Sequence, residues 1–145
     1  MQTLVDDMIA TMHEYRGIGL AAPQVHYDLR LFIAVLPQEG VAPDTDRVIA
    51  LFNPELTVVG SEVADDWEGC LSIPGIHGLV PRARAIGVKA MDREGNHIEF
   101  QARELYARVI QHEYDHIDGV LFVDRMRDRT SLAYIDQPSE SSPAY

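Results

Sequence analysis

Leu4, Val5, Met8, Ile9, Met12 and Tyr15 recur at helical spacing, while Asp6, Asp7 and Glu14 occupy the other faces. The pattern predicts an amphipathic helix that stops near Gly17. A loop rich in small residues follows, GIGLAAPQ, and then an unbroken apolar run from Leu31 to Leu36 that suits a buried strand. Residues 37–47, PQEGVAPDTDR, read as a polar loop rich in turn formers. Val48 to Phe52 and Leu56 to Val59 read as two strands separated by Asn53-Pro54. Ile86 to Met91 and His97 to Ala102 flank DREGN and read as a β-hairpin. From Glu104 to Ile117 the period returns to helical, with Gly119 as its terminator, and Val120 to Val123 reads as a last short strand. These elements predict an α+β fold, with antiparallel or mixed sheets packed around one late helix. Residues 1–136 are expected to form a single domain, and 137–145, low in apolar content, a disordered tail.

Composition narrows the function classes. The chain has 145 residues, enough for one core, and a formal charge of −11 with no basic run. Nucleic-acid binding needs clustered Lys and Arg, so a direct nucleic-acid ligand is excluded on this reading. Two aspartates stand where a signal peptide would carry lysines, and no apolar stretch is long enough to span a membrane. Cys70 is the one cysteine, so no intrachain disulfide points to an oxidising compartment, and a cytoplasmic enzyme is the default.

The densest chemistry lies in QHEYDHIDG, residues 111–119. Two histidines four apart on a helix stand about 40° apart around its axis and roughly 6 Å along it, so His112 and His116 can reach one ion. Glu113, beside the first of them, is placed to take a proton from a metal-bound water without ligating the metal. Asp115 points about 100° away from His116, and is expected either to orient neighbouring groups or to neutralise an arginine. An open catalytic site wants a third protein ligand. No histidine lies downstream, and the lone cysteine, in EGCLSIPG at residues 68–75, offers a thiolate. Gly69 would let a backbone or a substrate approach Cys70 closely.

The segments GIGLAAPQ, EGCLSIPG and QHEYDHIDG, in this order, resemble the three signature motifs of peptide deformylases, and the resemblance runs from about Met1 through Met126. It implies removal of the formyl group from the initiator methionine of nascent chains, with formate released. It implies one divalent ion on Cys70, His112 and His116, usually Fe(II) in the cell, with Zn(II), Ni(II) or Co(II) as alternatives. Glu113 becomes the general base, and the Gln24 amide and the Leu71 N–H stabilise the oxyanion. Gly19 matches a position that bonds the extended substrate through its main chain. Gly17, Ile18, Leu105 and Val109 match the neighbourhood of the methionine pocket. Arg108 falls where several relatives have an apolar pocket residue, and its alkyl stem is expected to line that pocket. Formyl-methionyl nascent peptides are the expected partners, with the ribosome as a transient one. Relatives carry an N-terminal extension ahead of the first helix, and some carry a long basic C-terminal helix that holds the ribosome, so docking by that route is not expected here.

Other residues receive lesser roles. Glu68 and Arg82 are expected to pair, holding the cysteine loop against the sheet, though such a pair at a surface is worth little. Trp67 reads as packing, and His13, His26, His77 and His97 lack ligand spacing. Three other readings stay open: an HExxH metalloendopeptidase, a non-catalytic relative that binds metal or formylated peptide, and a cysteine hydrolase with Cys70 as nucleophile.

Overall fold

The computed structural model describes residues 1–36 and 47–135. The polar loop expected at 37–47, apart from Arg47, and the tail expected at 137–145 lie outside the described residues.

Helix α1 (Gln2–Glu14) and strands β1 (Gly19–Ala21), β2 (Leu31–Leu36) and β3 (Arg47–Val58) open the chain. A long hairpin, β4 (Val63–Cys70) and β5 (Ile73–Ala83), comes next, followed by the hairpin β6 (Ala85–Met91) and β7 (His97–Arg103). Helix α2 (Glu104–Ile117), the short helix α3 (Phe122–Arg125) and strand β8 (Ala133–Tyr134) complete it. One sheet has the order β1-β2-β3-β6-β7 and the other β4-β5-β8, and every pairing is antiparallel.

The unbroken apolar run of β2 is explained by cover on both faces of the larger sheet. Side chains alternate along a strand. Leu31 and Ile33 join Val5, Met8 and Met12 of α1, while Phe32 and Ala34 join Val109 and Ile110 of α2. All four of these β2 side chains are fully buried. Burying a side chain the size of Phe32 stabilises the fold by about 2–3 kcal/mol, so the two helices fix the register of β2 from opposite sides. A third cluster, Cys70, Val80, Phe122 and Met126, seats α3 against the β4–β5 hairpin.

Three expected elements change. Asn53-Pro54 does not separate two strands; it lies inside β3 at an irregularity between Phe52 and Glu55 in the pairing with β6. Asn53 takes φ 48°, a conformation that Asn tolerates better than most residues, and its N–H bonds to Arg30 O at 2.8 Å. Pro54 has no N–H for the ladder, so the pairing slips there and resumes. Residues Val120 to Val123 are not a strand: Phe122–Arg125 form a helical turn in which Asp124 accepts from Leu121 N–H at 2.9 Å. A four-residue apolar run carries no period that separates the two outcomes. The segment GIGLAAPQ, expected as loop, contains β1 and then a 3₁₀ turn, Ala22–Val25.

Candidate metal centre

Helix α2 supplies most of the site, and its bounds follow from its neighbours. The chain leaves β7 and turns at Glu104, which takes φ 53° and donates its N–H to Arg84 O at 2.8 Å. The helix then runs between the two sheets with His112, Glu113, Asp115 and His116 all buried. Four buried titratable groups on one helix would be costly without partners, so each partner carries information.

His116 Nε2 lies 3.2 Å from His112 Nε2 and 3.3 Å from Cys70 Sγ, and the three donor atoms are all within 4.8 Å of one another. Tetrahedral ligands of an ion with ordinary metal–nitrogen and metal–sulfur bonds stand roughly 3.3–3.6 Å apart, so the spacing fits a divalent ion between them. Burial, and then the charge of His112, lower the pKa of His116 to about 4, which keeps its lone pair free for a metal. Burial, reinforced by the charge of Glu113, pushes the Cys70 thiol up.

The orientation of His112 is set from behind. Glu68 Oε1 lies 2.8 Å from His112 Nδ1, which directs Nε2 toward Cys70 and His116. Glu68 itself receives both Arg82 Nε and a second Arg82 nitrogen at 2.9 Å, and Arg108 at 2.7 Å. Burial alone would raise its carboxyl, but His112 and Arg82 outweigh burial and hold it at about 2. Arg82 continues to Asp115 at 2.6 Å, and Asp115 to Arg125 at 2.8 Å. Asp115 therefore neutralises arginines, one of its two expected roles. The expected Glu68–Arg82 pair exists, but it is buried, with side chains 0% and 5% exposed, and not the weak surface pair of the sequence reading. Glu68 stands two residues before Cys70 and opens the EGCLSIPG segment, so both strand alternation and the motif linked it to the site in the sequence.

Arg108 makes contacts that its sequence neighbours do not suggest. Its guanidinium is engaged by Glu68, by Val80 O and by Ala64 O, each at 2.7 Å, and the residue is buried. It ties α2 to the β4–β5 hairpin and is spent on that contact.

Glu113 is fully buried, and neither carboxylate oxygen has a hydrogen-bond partner among the described residues. Burial, reinforced by the charge of Glu68 and opposed by Arg82, pushes its carboxyl well above the usual carboxylate range. A carboxyl so placed has proton affinity to use and nothing internal to satisfy it.

Gln24, in the 3₁₀ turn, takes Ala21 N–H on Oε1 at 2.8 Å and directs Nε2 to Ser72 Oγ at 3.0 Å and Cys70 Sγ at 3.8 Å. Leu71 lies in the β4–β5 turn with its side chain against the α1-side core. Gly19 pairs with Ala34 in β1 and abuts Glu113. Gly17 is buried and donates to Met12 O at 2.9 Å, and Ile18 O accepts Val35 N–H at 2.9 Å. At Gly69 the space a side chain would take lies 3.4 Å from Ile76 O and 3.8 Å from Ile135 Cδ1. Val109 is buried in the α2-side core, against which Ile18 packs, whereas Leu105 is 44% exposed beside Arg108 in a surface hollow. Trp67 packs on His77 with ring centroids 4.4 Å apart.

A thiol and two imidazoles converging beside a partnerless buried carboxyl define the class: a metal-dependent hydrolase. The family model of polypeptide deformylases matches residues 1–131. A peptide deformylase of Nostoc sp. is 46% identical over 129 residues, spanning 87% of this chain and 72% of the relative. The structure of a peptide deformylase from Legionella pneumophila superposes with a TM-score of 0.76 at 42% identity, covering 86% of this chain and 70% of that one. A class I type b peptide deformylase from Acinetobacter baumannii, solved with Met-Ala-Ser bound, gives 0.76 at 39% identity, covering 86% and 80%. The chain belongs to the polypeptide deformylase family, metal-dependent enzymes that remove the formyl group from formyl-methionyl nascent peptides. No helix among the described residues is long and apolar enough to cross a membrane.

Proposed function

We propose that Cys70, His112 and His116 hold one divalent ion and that Glu113 moves the protons of deformylation. The observation that carries this reading is the approach of one sulfur and two imidazole nitrogens to within 4.8 Å of one another, next to a buried carboxyl. When bound, the ion supplies Lewis acidity, polarising the formyl oxygen and acidifying water. Glu113 takes a proton from the attacking water and returns it to the amine that leaves, so that formate and a free N-terminus result. The Gln24 amide and the Leu71 N–H donate to the oxygen on which negative charge develops, and both are held before the reaction begins. Strand β1 ends the larger sheet, and through Gly19 it pairs with the main chain of an extended peptide. Gly17, Ile18, Gly69, Leu105 and Val109 surround the first residues of that peptide.

In this reading residues 1–136 form one catalytic domain that works in the cytoplasm and meets the ribosome transiently. Fe(II) is the ion in the cell; a thiolate with two imidazoles accepts Zn(II), Ni(II) or Co(II) equally well by donor type. The experiment is anaerobic purification with metal analysis, followed by formate release from formyl-Met-Ala-Ser and, in parallel, an assay for cleavage of internal peptide bonds. Formate release without internal cleavage supports the assignment, and internal cleavage without formate release refutes it.

A further inference from the structure

The Ser72 hydroxyl reaches the side chain of Gln24 from across the site. Cys70 and Ile73 pair across the tight turn between β4 and β5, which puts Leu71 and Ser72 at its tip. From there the Ser72 hydroxyl oxygen accepts from Gln24 Nε2 at 3.0 Å.

The consequence falls on the Gln24 side chain. A carboxamide has one acceptor and two N–H donors, and its orientation is set by whichever of these are engaged. Here the oxygen is held by Ala21 N–H at 2.8 Å and one N–H by Ser72, while Nε2 stands 3.8 Å from Cys70 Sγ. With these two anchors, turning the amide over would break both bonds. The remaining N–H is left on the side of the sulfur.

We propose that Ser72 is a positioning residue that fixes the orientation of the Gln24 carboxamide, so that its second N–H stays on the Cys70 side of the site, where the reacting oxygen is stabilised. This rests on the role given above to Gln24. Without the hydroxyl, the amide keeps one anchor and rotates, so stabilisation present only in the transition state is lost and kcat falls while KM holds.

The test uses Ser72→Ala and Ser72→Thr, each alone and combined with Gln24→Ala, in the full chain loaded with Co(II). Ser72→Ala is expected to lower kcat about tenfold with KM within about twofold, the size of one neutral hydrogen bond. Ser72→Thr recovers most of the loss. In the Gln24→Ala background, Ser72→Ala costs less than about twofold more, because the two act as a unit. An undiminished kcat in Ser72→Ala, or an equal loss in the Gln24→Ala background, overturns the proposal. Failure of the wild-type chain to release formate would instead overturn the reading on which it rests.

Discussion

Gly19 faces Glu113 so closely that a methyl group on its α-carbon would overlap Glu113 Oε1 and lie 2.8 Å from the carboxyl carbon. The Glu113 carboxyl thus rests directly on the backbone of edge strand β1, and a glycine is needed there for clearance and not for an unusual backbone angle. Gly19→Ala must displace either the strand or the carboxylate. Misplacing a catalytic group by about an ångström costs on the order of a hundredfold in rate. The expected outcome is a kcat lowered by about that factor with metal content unchanged, checked by formate release together with metal analysis.

Glu113 and Gln24 differ in what their loss removes. With the roles proposed above, Gln24→Ala removes an oxyanion donor and is expected to cost about 3 kcal/mol of barrier, a factor on the order of a hundred in kcat. Glu113→Ala removes the proposed proton carrier and is expected to be far worse, by steady-state kinetics on formyl-Met-Ala-Ser at saturating metal. Equal activity of Glu113→Ala and wild type would dispose of its role.

The carboxyl of Glu113 also carries a stability consequence. Fully buried and without a hydrogen-bond partner among the described residues, it opposes folding. Glu113→Leu, which removes the polar group at similar volume, is expected to raise the Tm of the metal-free chain while abolishing activity. A lowered Tm would show that the carboxyl is satisfied in solution in a way the fold does not reveal.

Glu68 governs acid stability. Its ordinary value is 4.5, and its partners His112 and Arg82 hold it at about 2 in the fold despite burial. Between those values the unfolded chain binds more protons than the folded one, so stability is full above about pH 4.5 and falls as pH drops toward about 2. Glu68→Gln leaves Arg82 and Arg108 short of a buried counter-charge, which destabilises by about 3–5 kcal/mol. It should also flatten this acid limb in urea titrations of the metal-free chain. An acid limb of unchanged slope in Glu68→Gln would contradict the role.

Chelation separates the deformylase chemistry from a cysteine nucleophile. Stripping the ion is expected to abolish formate release and to lower Tm, since an ion bound only by the folded state stabilises it. Adding Fe(II), Co(II) or Ni(II) back should restore both. Activity that survives chelation would favour Cys70 acting on its own.

Much of this was legible in the sequence, for identifiable reasons. Helix α2 and strand β2 have the bounds their patterns predict, Glu104–Ile117 and Leu31–Leu36, because each is buried against two layers and its period is strong. The clustering of Cys70 with His112 and His116 was legible too, because two histidines one turn apart leave room for a third donor and the chain holds a single cysteine. The β4–β5 hairpin that delivers that cysteine was not. Its outer positions include Asp65, Trp67 and Leu79, its inner ones Glu68 and Arg82, so polar and apolar residues fall on both faces and no alternation appears. The pair Glu68–Arg82 looked like surface charge for the same reason, since only the tertiary fold encloses it. Arg108 could not have been placed from its neighbours in sequence, because its partners Val80 O and Ala64 O come from strands that the pattern did not disclose.

The most direct measurement is anomalous X-ray diffraction from crystals of the metal-loaded chain. One strong peak is expected within bonding distance, roughly 2.0–2.3 Å, of Cys70 Sγ and of the Nε2 atoms of His112 and His116. A peak elsewhere, or none between those three atoms in a chain that still releases formate, would contradict the proposed ligand set.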